Sequence, residues 1–187
     1  MNLHAGPLAA VRRRVRPSSI DELTGLGNRR QLREDLRTTV AAANDDCTAM
    51  LVLLTLSGFK AYDSRMGHSA GDALLTLLGG RLRQTVRSHG AAYRIGGVEF
   101  AVLSRVGPGV GSDGVDALIF TASAALTDGS VDAPVTAWHG AVRIPGETRE
   151  PGEALHIAGQ RLLAAKTYAP PLVRDRPARP QRVVQLP

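Results

Sequence analysis

Residues suited to phosphate or metal chemistry are spread along this chain, and few of them are carboxylates in a useful setting. Glu99 follows Gly96, Gly97 and Val98 and precedes Phe100; the paired glycines signal a two-residue hairpin turn, which puts Glu99 beside a tight bend. Lys60 follows Gly58-Phe59, where an ammonium and neighbouring backbone amides could cradle phosphate. Asp63 reads as a solvated charge in a loop, and Asp72 as a first-turn acid favoured by its helix dipole. Lys166 and Arg87 are cations that could meet phosphate or serve as ordinary surface charges. His68 has no second His, Cys or acid at ligand spacing, and His89 is a lone loop histidine. Cys47 is the single cysteine, which excludes an intramolecular disulfide and a four-ligand zinc–cysteine site.

The elements that must position these groups are legible from apolar spacing. A short basic helix is expected over 8–16, closed by Pro17. Leu32, Leu36 and Val40 recur every four residues, the stripe of an amphipathic helix over 29–43. Residues 49–56 form an apolar run bounded by Asp45-Asp46 and Ser57-Gly58, a fully buried strand. A short helix over 59–65 is broken by Gly67 to Gly71, and Leu74, Leu75, Leu78, Leu82 and Val86 mark a helix over 72–87. Strands are expected over 91–95 and 98–106, a loop over 107–114, a helix over 115–126, a strand over 135–144 and a last helix over 153–168. Trp138 and His139 should alternate between core and surface on that last strand. The order describes an α/β sandwich with a mixed central sheet flanked by helices.

The 187 residues suit one domain with tails: a basic segment over 1–18, a domain over 19–169 and a Pro/Arg-rich, disordered tail over 170–187. Apolar residues make up 43%, enough for an ordinary core, while aromatics at 4% argue against base-stacking recognition of single strands. The net charge of +6 gathers at the ends, in Arg12, Arg13, Arg14 and Arg16 and in Arg174, Arg176, Arg179 and Arg182, and reads as solvated tails. No signal-peptide core is visible and no apolar run reaches the roughly 20 residues of a spanning helix, so a cytoplasmic location is expected, with no membrane span.

Four blocks, taken together, resemble the GGDEF (diguanylate cyclase-like) family. Asp21-Glu22-Leu23-Thr24-Gly25-Leu26-Gly27-Asn28-Arg29-Arg30 matches the family's opening motif; Phe59-Lys60 with Gly67-His68, Gly71-Asp72 and Leu74-Leu75 matches a second. Arg94-Ile95-Gly96-Gly97-Val98-Glu99-Phe100 is similar to the family signature with one substitution, and Ala164-Ala165-Lys166 to the end of its last helix. The resemblance covers residues 19–169 and implies a fold like the palm of nucleotide polymerases. It also implies an antiparallel homodimer in which each protomer holds GTP and two Mg²⁺ and makes cyclic di-GMP.

At the residues that would do this chemistry the chain departs from the pattern. Thr55 stands where the resemblance implies a metal-binding aspartate, Ser57 at the next acidic position, and Val98 at the acidic third letter of the signature; Glu99 alone remains. Hydroxyls are weak ligands for Mg²⁺ and valine is none, so Mg²⁺ binding is expected to be weak or absent, no cofactor is expected, and the signature Gly96-Gly97-Val98-Glu99-Phe100 names no confident catalytic residue. The implied guanine contacts fall on Asp63, in place of an asparagine, and Asp72; Lys166 matches a phosphate-binding lysine, but Pro170 replaces the arginine after it. Arg87 keeps one half of an inhibitory cyclic di-GMP motif, whose aspartate is replaced by Gly90.

The expected function is a catalytically inactive regulatory or protein-interaction module in cyclic di-GMP signalling, binding itself or a partner protein, with GTP or cyclic di-GMP as candidate ligands. Two other readings stay open: a residual or altered nucleotidyl cyclase or GTP hydrolase using Glu99, Asp63 and Asp72, and a basic nucleic-acid or membrane-surface protein driven by its arginine tails. Nucleic acid is disfavoured because the chain between the two ends is near neutral and nothing inside the domain supports it.

Overall fold

In a computed structural model, the described residues are 19–44, 47–106, 121–122, 124–125 and 134–168. The basic segment, the Pro/Arg-rich tail, the loop over 107–114 and most of the expected helix over 115–126 lie outside them; Thr121, Ala122, Ala124 and Ala125 are helical.

The elements run β1 (Gly27–Asn28), α1 (Arg29–Ala42), β2 (Thr48–Ser57), α2 (Phe59–Met66), α3 (His68–Val86), β3 (Gly90–Arg94), β4 (Glu99–Val106), β5 (Thr136–Ile144) and α4 (Pro151–Tyr168). The sheet order is β1-β3-β4-β2-β5. β1 runs parallel to β3, and the other pairings are antiparallel. This is the mixed sheet that the sequence implied.

β2 is the axis of the molecule because both its neighbours and both its faces are covered. Met50, Val52, Leu54 and Leu56 join the α3 residues Leu74, Leu75, Leu78 and Leu82 in one core cluster. Ala49, Leu51 and Leu53 join Leu32 and Leu36 of α1 and Ala154 and Ala158 of α4 in the other. An apolar run without alternation was needed for this, since period-two alternation leaves one face polar. Thr55 and Glu99 follow the odd-numbered parity of β2 and β4, so they face the α1–α4 side.

Three local expectations are corrected. α3 begins at His68, four residues before the expected start at Asp72; Gly67 alone makes the break, with φ +88°, and Ser69, Ala70 and Gly71 are helical. The connection between β3 and β4 is longer than two residues, because Arg94 pairs with Phe100 and the Ile95 amide donates to the Glu99 carbonyl at 2.8 Å. Residues 136–139 are all half-buried, so Trp138 and His139 do not alternate between core and solvent; burial holds the His139 pKa below its ordinary value.

Candidate functional site

The opening motif is a bracket for the β3–β4 hairpin. Asp21 caps its own turn, accepting from the Thr24 amide at 2.9 Å and the Thr24 hydroxyl at 2.7 Å, and Gly25 supplies the left-handed residue at φ +67°. Gly27 has no side chain because the Tyr93 ring lies 2.6 Å from where a Cβ would stand. Asn28 caps α1, its side chain accepting from the amides of Arg30 and Gln31. Arg29 then donates to the Ile95 carbonyl at 2.8 Å and to Glu99 at 3.2 Å. Arg94 reaches back from β3, donating to both Asp21 carboxylate oxygens and to the Gly97 carbonyl at 2.8 Å. The signature turn is therefore tied to residues more than sixty positions away in sequence.

Burial would raise the Asp21 carboxyl, but the Thr24 hydroxyl and amide and the Arg94 guanidinium outweigh it and hold the pKa below its ordinary value. A depressed folded-state pKa stabilises above the unfolded value of about 4 and is lost as pH falls through the folded one. Arg94→Ala is expected to cost about 2 kcal/mol near neutral pH, where it strands the Asp21 charge. At about pH 3 the difference from wild type should shrink, because protonation weakens the pair in the wild type as well. Urea unfolding at both pH values checks this, and an unchanged difference would contradict it.

Thr55 sits at the centre of the candidate site. It is 3% exposed, pairs directly with Glu99 across β4, and pairs with Trp138 across β5. Val98 packs against the α3-side core cluster, while its carbonyl accepts from the Leu56 amide at 3.0 Å. Ser57 stands opposite Thr136, whose hydroxyl oxygen is buried without a hydrogen-bond partner among the described residues. A divalent cation needs several charged oxygens converging. The donors here are neutral hydroxyls and one carboxylate already paired with Arg29. Among the described residues no three His, Cys, Asp or Glu side chains come together as a metal site. The residues present do not fit the two Mg²⁺ that the resemblance implies.

Glu99 opens into a cleft of about 400 Å³ between the start of α1 and the end of α4, with Arg29, Arg33 and Lys166 on its walls. Lys166 and Glu99 thus line the same cleft. Lys60 is exposed in the first turn of α2 and does not line this cleft.

Asp63 is not in a loop. It belongs to α2, with a side chain 21% exposed and bonded to the His68 Nδ1 at 2.8 Å. Its other oxygen lies 2.2 Å from where a Cβ on Gly71 would stand, which explains the glycine there. One carboxylate oxygen is thus engaged by the exposed His68 ring, and the other lies against Gly71. Asp72 is exposed in the second turn of α3, and no acid occupies the first, so the first-turn dipole argument does not apply to it. Arg87 is exposed at the C-terminal end of α3, away from the cleft. At Gly90 a Cβ would meet the Leu103 carbonyl oxygen at 2.2 Å and the Ser104 Cα at 2.7 Å. The two strands have closed over the position where an aspartate would complete the Arg87 motif.

Residues 18–169 match the family model described as diguanylate cyclase, GGDEF domain. The chain is 36% identical over 157 residues to the uncharacterized protein YhcK of Bacillus subtilis, covering 78% of this chain and 42% of that protein. It is 40% identical over 84 residues to the diguanylate cyclase DgcS of Shewanella oneidensis, covering 44% of this chain and 28% of that protein. The chain therefore spans less than half the length of these relatives. A sensory box/GGDEF family protein from Caulobacter crescentus, solved by crystallography, superposes with a TM-score of 0.68 at 27% identity, over 81% of this chain and 99% of that one. Among the described residues no helix is long and apolar enough to cross a membrane.

Proposed function

Because the chain belongs to the GGDEF diguanylate cyclase family, we propose that it is a non-catalytic member acting as a regulatory, partner-binding module in cyclic di-GMP signalling. One observation carries this reading: at the Thr55–Glu99 cross-strand pair a single carboxylate remains, and Arg29 already holds it. Phosphoryl transfer is mostly charge neutralisation and positioning. A site unable to hold metal ions loses the largest part of both.

The replacements also favour the fold. Threonine and valine suit strands, and Val98 adds to the apolar cluster where an acid would need solvent. The bracket from Asp21, Arg29 and Arg94 ties the hairpin down through the chain's own side chains. Guanine-nucleotide binding is expected to be weak, since His68 already engages one Asp63 oxygen and a carboxylate cannot donate as the implied asparagine would. Association with a second copy or with another protein remains the means by which such a domain acts.

Incubation of the full chain with GTP and Mg²⁺ or Mn²⁺, followed by chromatography, is expected to yield no cyclic di-GMP and no GDP above a protein-free control. Turnover that disappears in Glu99→Ala would overturn the reading.

A further inference from the structure

The solvent side of α1 carries Arg29, Arg30, Arg33 and Arg37, all exposed. They wall an open groove of about 600 Å³ in which the acidic lining residue is Glu34. Arg29, Arg33 and Arg37 recur every four residues and so form one line along the helix. Arg29 and Arg33 also wall the cleft between α1 and α4, so the two hollows share a wall of arginine side chains. The floor of that cleft is leucine: Leu32 at the bottom, with Leu155 and Leu162 beside it and Leu163 at the mouth. Leu163 is 65% exposed, one of the few large apolar side chains left in solvent.

We propose that this arginine-walled, leucine-floored cleft docks an acidic amphipathic helix of a partner protein. Leucine-like side chains of the partner enter between α1 and α4, and its carboxylates lie along Arg33 and Arg37. The inference rests on the reading of the domain as a partner-binding module and names the chemistry of that partner.

Charge complementarity selects this occupant. An amphipathic helix lying in a groove uses an apolar face and flanking charges together, and arginine forks hold carboxylates in two-point contacts. A nucleic-acid strand would use aromatic platforms for its bases, and no aromatic side chain lines either hollow. A flat bilayer surface would meet the arginines but could not enter the cleft between α1 and α4, where Leu155 and Leu162 line the walls.

The test uses the full chain and a fluorescently labelled helical peptide with leucines at i, i+3, i+4 and i+7 and glutamates on the flanks. Anisotropy is expected to show saturable binding that weakens with salt, and no binding of the same peptide with lysines in place of glutamates. Arg33→Glu/Arg37→Glu should weaken binding about tenfold or more at low salt, Arg33→Gln/Arg37→Gln by less, and Leu163→Ser by about tenfold. All these positions are exposed, and an unchanged thermal midpoint verifies folding. Equal affinity of the arginine variants, equal binding of the lysine peptide, or no binding would each overturn the proposal. So would arginine-dependent capture by phosphatidylglycerol vesicles with the peptide unbound. Failure of the peptide with GTP still intact would leave the non-catalytic reading standing. GTP turnover alongside peptide binding would remove only that earlier reading.

Discussion

Replacing Thr55 by aspartate is expected to lower stability by about 2–4 kcal/mol near neutral pH, even though the change restores the residue type that the family resemblance implies. Thr55 is buried and lies directly across from Glu99, so the new carboxylate would be desolvated and would face a like charge. Burial and the Glu99 charge both push the introduced carboxyl's pKa up. The destabilisation should therefore shrink as pH falls and the proton returns. A divalent ion should act in the same direction: in Thr55→Asp, Mn²⁺ at about 100 times its dissociation constant restores up to about 2.7 kcal/mol. Wild type should not respond. Urea midpoints with and without Mn²⁺ measure all of this. Wild-type stabilisation by Mn²⁺ equal to that of the variant would show that charged oxygens are not what the site lacks.

Adding one methyl group at Gly140 is expected to cost about 2–3 kcal/mol, near the upper end for overpacking. A Cβ there would lie 2.2 Å from the Ala158 carbonyl oxygen and 2.3 Å from the Leu162 amide nitrogen, backbone atoms that cannot turn aside as a side chain would. α4 sits this close to β5 because Ala154 and Ala158 are small and fully buried. Arg161 fixes the contact, donating to the Ala141 carbonyl at 2.6 Å and pairing with Glu147. Gly140→Ala must lift α4, and with it Leu162, Leu163 and Lys166 on the cleft wall. A urea midpoint within about 0.5 kcal/mol of wild type, or unchanged peptide affinity at the cleft, would show that α4 can shift without consequence.

Local signals were most readable where one residue type has one strong conformational reason. Gly67 ends α2 with a positive φ, Asn28 caps α1, and the unbroken apolar run of β2 had to be a strand covered on both faces. They failed where context overrides preference. Gly71 looked like part of a helix break, yet it lies inside α3, and it is a glycine because Asp63 fills the space a side chain would take. Asp63 looked solvated, yet His68, five residues on, holds it. The paired glycines pointed to a two-residue turn, but Arg29 and Arg94 grip the carbonyls of Ile95 and Gly97 and stabilise a wider one. The leucine spacing of α1 showed which face would be buried, but that arginines of its other face wall a leucine-lined cleft beside α4 appears only in the folded structure.

Residue identity by itself determined the poverty of charged oxygen: no arrangement of threonine, serine and valine supplies the carboxylates that two divalent cations require. It also determined the core, since apolar spacing decides which face of each element must leave water. Tertiary structure alone decided what the surviving charges do. Whether Glu99 meets a metal or an arginine depends on a contact between residues 70 positions apart (Arg29 with Glu99), and Lys166 comes to the wall of the same cleft only through the docking of α4. Such electrostatic pairings depend on ångström-scale separation, which only the closed sheet and its docked helices establish.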